Sequence, residues 1–341
     1  MIDRAPRRWR GRDDGSGPEH ARWHHVVNSG GPDAPVALIG FASDEGVRRN
    51  SGRIGASEGP AAIRGALAGL ADPGIQVCDL GDLVVDDGRL EAGQQRLALV
   101  VGSVLDRAAL PVVLGGGHEV AFGTGSAWSA RDETWGVLNL DAHLDLRQAD
   151  RATSGTPFRQ LAELLAAVGK PFHYAVIGLS RPSNTHDLLA TAERLGVATL
   201  SDADADVTTA AAFAEALLRR VDRVHLTLDL DVLPAAVAPG VSAPAAFGVP
   251  TAAVLAALRT VAGSGKLGLF EVAELNPLFD SDARTARIAA RCVDEVVRHY
   301  RRPQFVVRAP GAERFGAQLP GIGDATAGGL GTQQDGSRPG L

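Results

Sequence analysis

The stretch WGVLNLDAHLDLR at residues 135–147 decides the fold. It begins as a mostly apolar run, which is typical of a buried strand, and then gives way to alternating polar residues. Five further apolar runs have the same texture, at 36–40, 110–115, 174–178, 224–229 and 267–272. Stretches of helical length rich in Ala and Leu lie between them, at 57–70, 91–109, 186–195, 208–221 and 250–264. Buried strands that alternate with helices predict an α/β fold with a largely parallel sheet.

The composition excludes several classes of protein. The chain has 341 residues, of which 45% are hydrophobic and 22% charged, as in ordinary globular proteins. A net charge of −6 gives no basic surface for nucleic acid, so we expect no nucleic-acid partner. No apolar run reaches the roughly 18 residues of a transmembrane helix, so we expect no membrane partner. Two isolated cysteines, Cys78 and Cys292, favour reduced thiols and a cytoplasmic location.

We expect three segments along the chain. Residues 1–34 are polar and rich in Gly, Pro, Arg and His, which predicts a flexible N-terminal arm without the apolar core of a secretory signal. Residues 35–308 contain all the alternating runs and are predicted to form the α/β domain. Residues 309–341 are rich in Gly and lack apolar periodicity, which predicts a flexible tail.

Polar side chains at strand ends carry the predicted chemistry. In NLDAHLDLR at 139–147, alternate side chains of an extended chain face the same way, so Asp141, His143 and Asp145 can converge. Three ionisable side chains are costly to bury unless a cation or hydrogen bonds compensate them. For this segment alone, a metal site and a solvated polar loop both remain open.

Two other strand ends repeat the pattern. The segment LGGGHEV at 114–120 places His118 just past a strand, and no GxxxxGK[ST] phosphate loop is present. The segment LTLDLDVLP at 226–234 ends a strand in Asp229 and Asp231, without the Gly and Glu of an EF-hand. Together the three segments offer four carboxylates and two imidazoles, a set that suits Mn, Fe, Co or Zn. The absence of nearby cysteines disfavours a structural zinc site, and bridging carboxylates would allow two ions.

A fourth strand end lies in FEVAELNP at 270–277. Glu271 and Glu274 lie on opposite faces of a strand, so only one of them can point into a shared site. A helix cap or a surface ion pair is the alternative interpretation of these two acids.

These segments resemble the signatures of the ureohydrolase family, which includes arginase, agmatinase and formimidoylglutamase. The matching residues are GGGH at 115–118, DAHLD at 141–145, DLDVLP at 229–234 and ELNP at 274–277, within a resemblance that spans about 36–300. The resemblance implies a three-layer α/β/α fold around an eight-stranded, mostly parallel sheet. It also implies two Mn²⁺ ions per subunit and a homo-oligomer.

The resemblance assigns roles to individual residues. One ion would be bound by His118, Asp141, Asp145 and Asp229, and the other by Asp141, His143, Asp229 and Asp231. Asp141 and Asp229 would bridge the ions and so take part in catalysis. Glu274 would face the cationic carbon–nitrogen group of the substrate.

Within the family, DEGVRRNSGRIGASEGP at 44–60, SGTPFRQ at 154–160 and PGVSAP at 239–244 look most like formimidoylglutamase. The implied reaction, part of histidine degradation, is hydrolysis of N-formimidoyl-L-glutamate to L-glutamate and formamide by attack of a metal-bound hydroxide on the formimidoyl carbon. The alternatives are a ureohydrolase acting on agmatine, guanidinobutyrate or a similar compound, and a metal-free homologue without activity.

A substrate with two carboxylates calls for guanidinium donors, since arginine pairs with carboxylates in a bidentate manner. Arg147 is the first candidate and Arg159 the second, with Ser154 and Asn184 as further substrate-binding candidates. Ser154 stands where agmatinases typically carry a histidine, so another group must move the proton. Gly117 stands where many relatives have Asp, so the partner that orients His118 must come from elsewhere.

Overall fold

In the computed structural model, which describes residues 2–6, 8–28 and 31–303, eight strands alternate with helices. The strands are β1 (Val36–Ala42), β2 (Val77–Val84), β3 (Leu110–Gly115), β4 (Trp135–Leu140), β5 (His173–Leu179), β6 (Ala198–Ser201), β7 (Arg223–Asp229) and β8 (Leu267–Ala273). The helices are α1 (Trp23–Val26), α2 (Glu45–Arg49), α3 (Gly59–Ala68), α4 (Leu90–Asp106), α5 (Val120–Ser126), α6 (Pro157–Ala167), α7 (His186–Arg194), α8 (Val207–Leu218), α9 (Thr251–Ala262) and α10 (Arg284–His299).

The strands form one sheet in the order β2-β1-β3-β8-β7-β4-β5-β6, and every neighbouring pair is parallel. Strands such as β1, β3, β4 and β8 are buried along their whole length, because helices cover both faces of the sheet. The predicted α/β fold with an eight-stranded parallel sheet is confirmed.

Two hydrophobic cores lie on opposite faces of the sheet and make the three layers. One is closed by α3, α8, α9 and α10, through residues such as Leu67, Leu258 and Val293. The other is closed by α4, α5, α6 and α7, through residues such as Leu97 and Phe158. The sheet is therefore held from both sides, and its strand ends are left free to carry polar groups.

The order of the strands places the four polar segments side by side. The segments that follow β3, β8, β7 and β4 contain His118, Glu274, Asp231 and Asp141, and these strands are consecutive neighbours in the centre of the sheet. The carboxyl ends of parallel strands meet at one edge, where open α/β sheets bind ligands. The topology thus gathers residues that are far apart in sequence.

The two edge strands, β2 and β6, were not predicted from the sequence. β6 has only four residues, all at least partly exposed, and β2 alternates buried and half-buried residues with two aspartates. Edge strands lack the continuous apolar run by which the central strands were recognised. The helices α6 and α10 were also missed, because their apolar residues are spaced among charged ones.

The described N-terminal residues differ from the expected flexible arm over 1–34. Asp3 and Arg4 pair with Asp82 in an antiparallel bridge, which covers the outer edge of β2. Further along, the indole N–H of Trp9 donates to Asp79 Oδ2 at 2.8 Å. The Trp23 side chain is fully buried. Polar composition suggested a loose arm, but two tryptophans and the open strand edge provide contacts that hold this segment.

The predicted glycine-rich tail over 309–341 lies outside the described residues. Within the described ranges, no helix combines the length and the apolar character needed to cross a membrane.

Replacing Trp23 tests whether the N-terminal segment belongs to the folded domain. Its side chain is fully buried and its indole N–H donates to Asp294 Oδ1 at 2.8 Å. We expect Trp23→Ala to lower the free energy of unfolding by about 3–5 kcal/mol, the usual cost of deleting a buried aromatic side chain. Urea denaturation followed by circular dichroism measures this. Trp23→Phe, which keeps most of the apolar bulk, should cost less, and an unchanged midpoint for Trp23→Ala would show that the segment is dispensable.

Candidate metal centre and active site

His118 is the centre of the first group of polar side chains. Its Nδ1 atom lies 2.9 Å from Asp145 Oδ2, 3.1 Å from Asp229 Oδ2 and 3.2 Å from Asp141 Oδ2. The imidazole is 1% exposed. These four residues together offer ligand atoms that all lie within 4.8 Å of one another.

His143 belongs to a second group with Asp141 and Asp231. Its Nδ1 atom lies 3.1 Å from Asp231 Oδ2 and 3.4 Å from Asp141 Oδ1. Asp141 therefore contributes to both groups, one oxygen to each. Asp229 joins only the first group, and its Oδ1 atom accepts the backbone N–H of Asp231 at 2.9 Å. The structure brings all six expected ligands together, and bridging by Asp229 stays a prediction.

The closely spaced carboxylates of the two groups need positive charge to compensate them. Burial opposes a charged imidazole, yet the contacts with Asp141, Asp145 and Asp229 raise the pKa of His118 well above its usual value. The carboxylate of Asp231 raises the pKa of His143 in the same direction. Burial, followed by the neighbouring charges of Asp231 and Asp141, raises the pKa of Asp229. Carboxylates held this close resist ionisation together unless a cation lies between them.

The side-chain chemistry fits divalent cations. His118 Nδ1 is buried and makes no hydrogen bond of acceptable geometry with any described residue, although three carboxylate oxygens surround it. Asp231 Oδ1 is likewise buried without a partner in the described part of the chain. Carboxylate oxygens and imidazole nitrogens are the ligands that Mn²⁺, Fe²⁺ and Co²⁺ accept. These six residues can therefore hold two such ions.

The hydroxyl of Thr227 is the partner that orients the His118 ring, a partner that the sequence did not identify. His118 Nε2 lies 2.9 Å from Thr227 Oγ1, and both groups are buried. When Nδ1 offers its lone pair to a cation, Nε2 carries the proton and donates to this hydroxyl. Thr227 lies two residues before Asp229 on β7, so the alternation of the strand was the signal that could have found it.

Asp141 has a corresponding support. Asn139 donates from Nδ2 to Asp141 Oδ2 at 3.0 Å and lies close to the hydroxyl of Tyr174. Tyr174 in turn donates to the backbone carbonyl of Leu144 at 3.0 Å. This chain of hydrogen bonds fixes the carboxylate and the loop that carries His143 and Asp145.

The glycines before His118 are required by close approaches. A Cβ on Gly116 would lie 1.7 Å from the carbonyl oxygen of Ser43, and one on Gly117 would lie 2.1 Å from Glu119 Oε2. Glu119 is fully buried and accepts hydrogen bonds from the Ser43 hydroxyl and the Gly46 N–H. Burial raises the pKa of Glu119 to about 7, although these hydrogen bonds oppose the shift. Its carboxylate fills the space in which a side chain at 117 would lie.

Glu274 is the acid of the fourth strand end that points into the site. Its Oε1 atom accepts the backbone N–H of His118 at 2.9 Å, and its Oε2 atom has no partner among the described residues. Burial, reinforced by the negative charge of Glu119, raises the pKa of Glu274 to about 8. Glu271 points elsewhere, toward His225 and Thr124.

Backbone strain is concentrated in two of these residues. Asp145 has a φ of 47° and Glu274 a φ of 68°, both in the left-handed region that residues other than glycine rarely adopt. Such conformations cost about 1–3 kcal/mol each and persist where the surroundings enforce them, often at functional sites.

A cavity of about 310 Å³ opens above the two groups. His118, His143, Asp145, Asp229, Asp231 and Glu274 line its floor, and Arg147 and Ser154 lie in its wall as expected. The wall also contains residues that the sequence analysis did not single out: Asn50, Ser51, Gly52, Arg53, Ser242 and Ala243. They come from two loops within the family-like segments 44–60 and 239–244, for which the sequence predicted no role of these individual residues. Ser154 Oγ accepts a hydrogen bond from Asn50 Nδ2 at 3.1 Å.

Two of the expected substrate-binding residues lie outside this cavity. Arg159 turns along the surface of α6, where its Nε–H donates to Glu163 at 3.0 Å. Asn184 is buried, and its amide is occupied by the backbone: Nδ2 donates to the carbonyls of Ala142 and Ser180, and Oδ1 accepts the N–H of Leu144. Asn184 instead holds the loop that carries His143.

Known proteins are similar to this chain in sequence. The sequence model of the arginase family matches residues 34–298. The chain belongs to the arginase family. Formimidoylglutamase from Nocardia farcinica is 52% identical over 299 residues, covering 85% of this chain and 96% of that protein. Formimidoylglutamase from Rhodococcus jostii is 52% identical over 305 residues, covering 86% and 95%.

Solved structures share the fold of this chain. The crystal structure of Trypanosoma cruzi formiminoglutamase with Mn²⁺ has a TM-score of 0.72 at 30% identity, covering 78% of this chain and 93% of that one. Arginase from Bacillus subtilis has a TM-score of 0.67 at 28% identity, covering 77% and 98%. The predicted arginase-like fold is thereby confirmed.

Thr227 provides a direct test of the support behind His118. We expect Thr227→Val, which keeps the shape but removes the hydroxyl, to weaken Mn²⁺ binding roughly 10- to 100-fold, as is usual for loss of a partner behind a ligand. Isothermal titration of the metal-stripped protein with Mn²⁺ measures the effect. Thr227→Ser keeps the hydroxyl and should retain most of the affinity. Equal affinities for the Val variant and the unmodified protein would contradict the proposed role.

Proposed function

We propose that this protein is a formimidoylglutamase, which hydrolyses N-formimidoyl-L-glutamate to L-glutamate and formamide. The observation that carries the proposal is a buried cluster of metal-ligand type facing a cavity with two arginines in its wall. The floor, with its metal-ligand cluster and Glu274, suits the cationic amidine of the substrate. The wall, with its two arginines, suits the carboxylates of the substrate. Relatives about half identical over most of the chain carry the same name.

The metal would be manganese, as in the solved relative from Trypanosoma cruzi. We assign His118, Asp141, Asp145 and Asp229 to one ion and Asp141, His143, Asp229 and Asp231 to the other. Two such ions supply Lewis-acid chemistry and a nucleophile derived from water at neutral pH.

The side chain of Glu274 would bind the amidine. Its Oε1 atom is held by the His118 N–H, so Oε2 is free to accept a hydrogen bond from an N–H of the cationic group. A buried carboxylate beside an amidinium favours the charged form of both partners. The planar formimidoyl carbon is thereby held over the floor, where water adds to it.

Breakdown of the tetrahedral species requires a proton on the departing nitrogen of glutamate. The hydroxyl that water added becomes the carbonyl of formamide and releases its proton as the C–N bond to that nitrogen breaks. The departing nitrogen takes up a proton with the electron pair of this bond, so that formamide and L-glutamate leave. Ser154 occupies the position at which agmatinases typically have a histidine, and it is already hydrogen-bonded to Asn50. We therefore assign Ser154 to substrate positioning.

Arg147 would bind a substrate carboxylate. It follows Asp145 by two residues, lines the cavity and is exposed. Agmatine has an amine where the glutamate substrate has carboxylates, so a guanidinium group at this place disfavours it.

The cellular context is part of the same proposal. Cys78 and Cys292 are both free thiols, which agrees with a reducing cytoplasm. A homo-oligomer is implied by the family resemblance. A mild net charge of −6 supports the absence of a nucleic-acid partner.

Product analysis tests the proposed reaction. Manganese-loaded protein should release formamide and glutamate from N-formimidoyl-L-glutamate and should release no urea from agmatine or guanidinobutyrate. Asp141→Ala removes a ligand shared by both ion sites and should abolish bound manganese and turnover together. Urea release from agmatine without formamide release from formimidoylglutamate would assign the protein to another ureohydrolase activity. Absence of stoichiometric metal after loading would favour a homologue without activity.

A further inference from the structure

One wall of the cavity carries an arginine, within the family-like segment 44–60, for which the sequence predicted no role. We propose that Arg53 determines specificity by binding one of the two substrate carboxylates while Arg147 binds the other. This inference rests on the proposed formimidoylglutamase function. It deepens that proposal by assigning the loop at 50–53, which lines the cavity beside Ser242, to recognition of the amino-acid part of the substrate.

The guanidinium of Arg53 is held in place before any ligand binds. Its Nε–H donates to the Ser242 carbonyl at 2.9 Å, and one N–H of its NH2 group donates to the Val241 carbonyl. Its central carbon lies 4.2 Å from the centre of the Phe279 ring, a cation–π contact. Three of its five N–H donors stay free of these contacts. A guanidinium group fixed in this way binds a carboxylate with little loss of conformational entropy.

The backbone beneath Arg53 is fixed as well. The Arg53 N–H donates to Ser242 Oγ at 2.9 Å. Asn276 donates from Nδ2 to the carbonyls of Arg53 and Ile54 at 2.9 and 3.0 Å. Gly52 allows the two loops to approach, because a Cβ there would lie 2.6 Å from Ser242 Oγ. The Asn of the family segment ELNP thus acts through this loop rather than on a cation.

The other arginines near the loop are committed elsewhere. Arg48 and Arg49 both pair with Glu45, and Arg49 also pairs with Glu91. Arg147 differs, because its guanidinium has no hydrogen-bond or ion-pair partner within the described chain, while its backbone N–H donates to Gly155. Among the described residues that line the cavity, Arg53 and Arg147 are the arginines.

The charges of the substrate match this arrangement. N-formimidoyl-L-glutamate has two carboxylates and one amidinium. Glu274 balances the amidinium, and the aspartates of the floor are balanced by divalent ions in the proposed site. Two guanidinium groups then remain for two carboxylates, one pair each. A single arginine would leave one substrate carboxylate without a charged partner.

A substrate series separates binding from a structural role of Arg53. Arg53→Gln and Arg147→Gln are assayed with N-formimidoyl-L-glutamate, N-formimidoylglycine and 4-(formimidoylamino)butanoate; the last two each lack one carboxylate. For the dicarboxylate, each variant should raise KM roughly 10- to 100-fold, as for loss of a charged hydrogen bond, with a smaller change in kcat. Arg53→Gln should have no effect on KM for one of the two monocarboxylate substrates. Arg147→Gln should have no effect on KM for the other one.

The controls address folding and charge. Arg219→Gln alters an exposed arginine paired only with Glu215 at 3.8 Å and should leave KM unchanged. Arg53→Lys keeps the positive charge but loses the planar guanidinium with its paired N–H donors, so it should raise KM less than Arg53→Gln. It also keeps the experiment informative if the Gln variant fails to fold. An equal effect of Arg53→Gln on all three substrates, or none on any, would overturn the inference.

Direct binding distinguishes this inference from the proposed function. Calorimetric titration of the manganese-loaded protein with L-glutamate, 4-aminobutyrate and glycine requires no turnover. Tighter binding of L-glutamate that depends on Arg53 would support the inference even if formamide were never released. Turnover of formimidoylglutamate with the same KM in Arg53→Gln would overturn the inference and leave the function standing. Absence of both turnover and Arg53-dependent binding would overturn both.

Discussion

The mutual repulsion of buried carboxylates is the constraint on which the rest of the structure depends. Asp141, Asp145, Asp229 and Asp231 lie within a few ångströms of two imidazoles at the ends of neighbouring strands. Such a cluster is stable only where positive charge compensates it and where the scaffold cannot relax away. The fully buried central strands and the helices on both faces supply that rigidity.

The i, i+2 spacing of the ligand motifs also lets the first carboxylate of each motif accept a backbone hydrogen bond from the residue two positions later. Asp141 Oδ1 accepts the backbone N–H of His143 at 2.6 Å, and Asp229 Oδ1 accepts that of Asp231 at 2.9 Å. In both motifs the first carboxylate thus stabilises the turn that presents the second ligand. In Asp229 the other oxygen, Oδ2, faces His118, whereas in Asp141 the oxygen that accepts the backbone N–H also faces His143 and the second oxygen faces His118. The same two residues set the geometry of the backbone and the chemistry of the floor.

The parts of the molecule with local signals could be predicted from sequence. Central strands such as β4 and β7 are continuous apolar runs that end in acids, and their ends gave the expected ligand residues. The edge strand β6 and the amphipathic α10 have no such run. Thr227 was missed because it supports His118, which is 109 positions away, and Arg53 because its contact with Ser242 spans 189 positions. Asn139 lies two positions before Asp141, and strand alternation was the signal that could have found it. The burial of Trp23 depends on Asp294, which is 271 positions away, and no local pattern reports such a contact.

The floor and the wall of the cavity divide the work of recognition. Acidic ligands, divalent ions and Glu274 would accept any amidine or guanidine, so the floor alone does not separate formimidoylglutamate from agmatine. In the proposed site the wall separates the two substrates, because Arg53 and Arg147 would attract carboxylates and repel an ammonium group in the same place. Discrimination then rests as much on repulsion of the wrong ligand as on attraction of the right one. Since the part of the wall at 50–53 and 242–243 comes from loops that contain none of the six ligand residues, this part can vary while the floor is kept. A shared floor beneath a variable wall is a physical reason for one fold to serve several amidine and guanidine substrates.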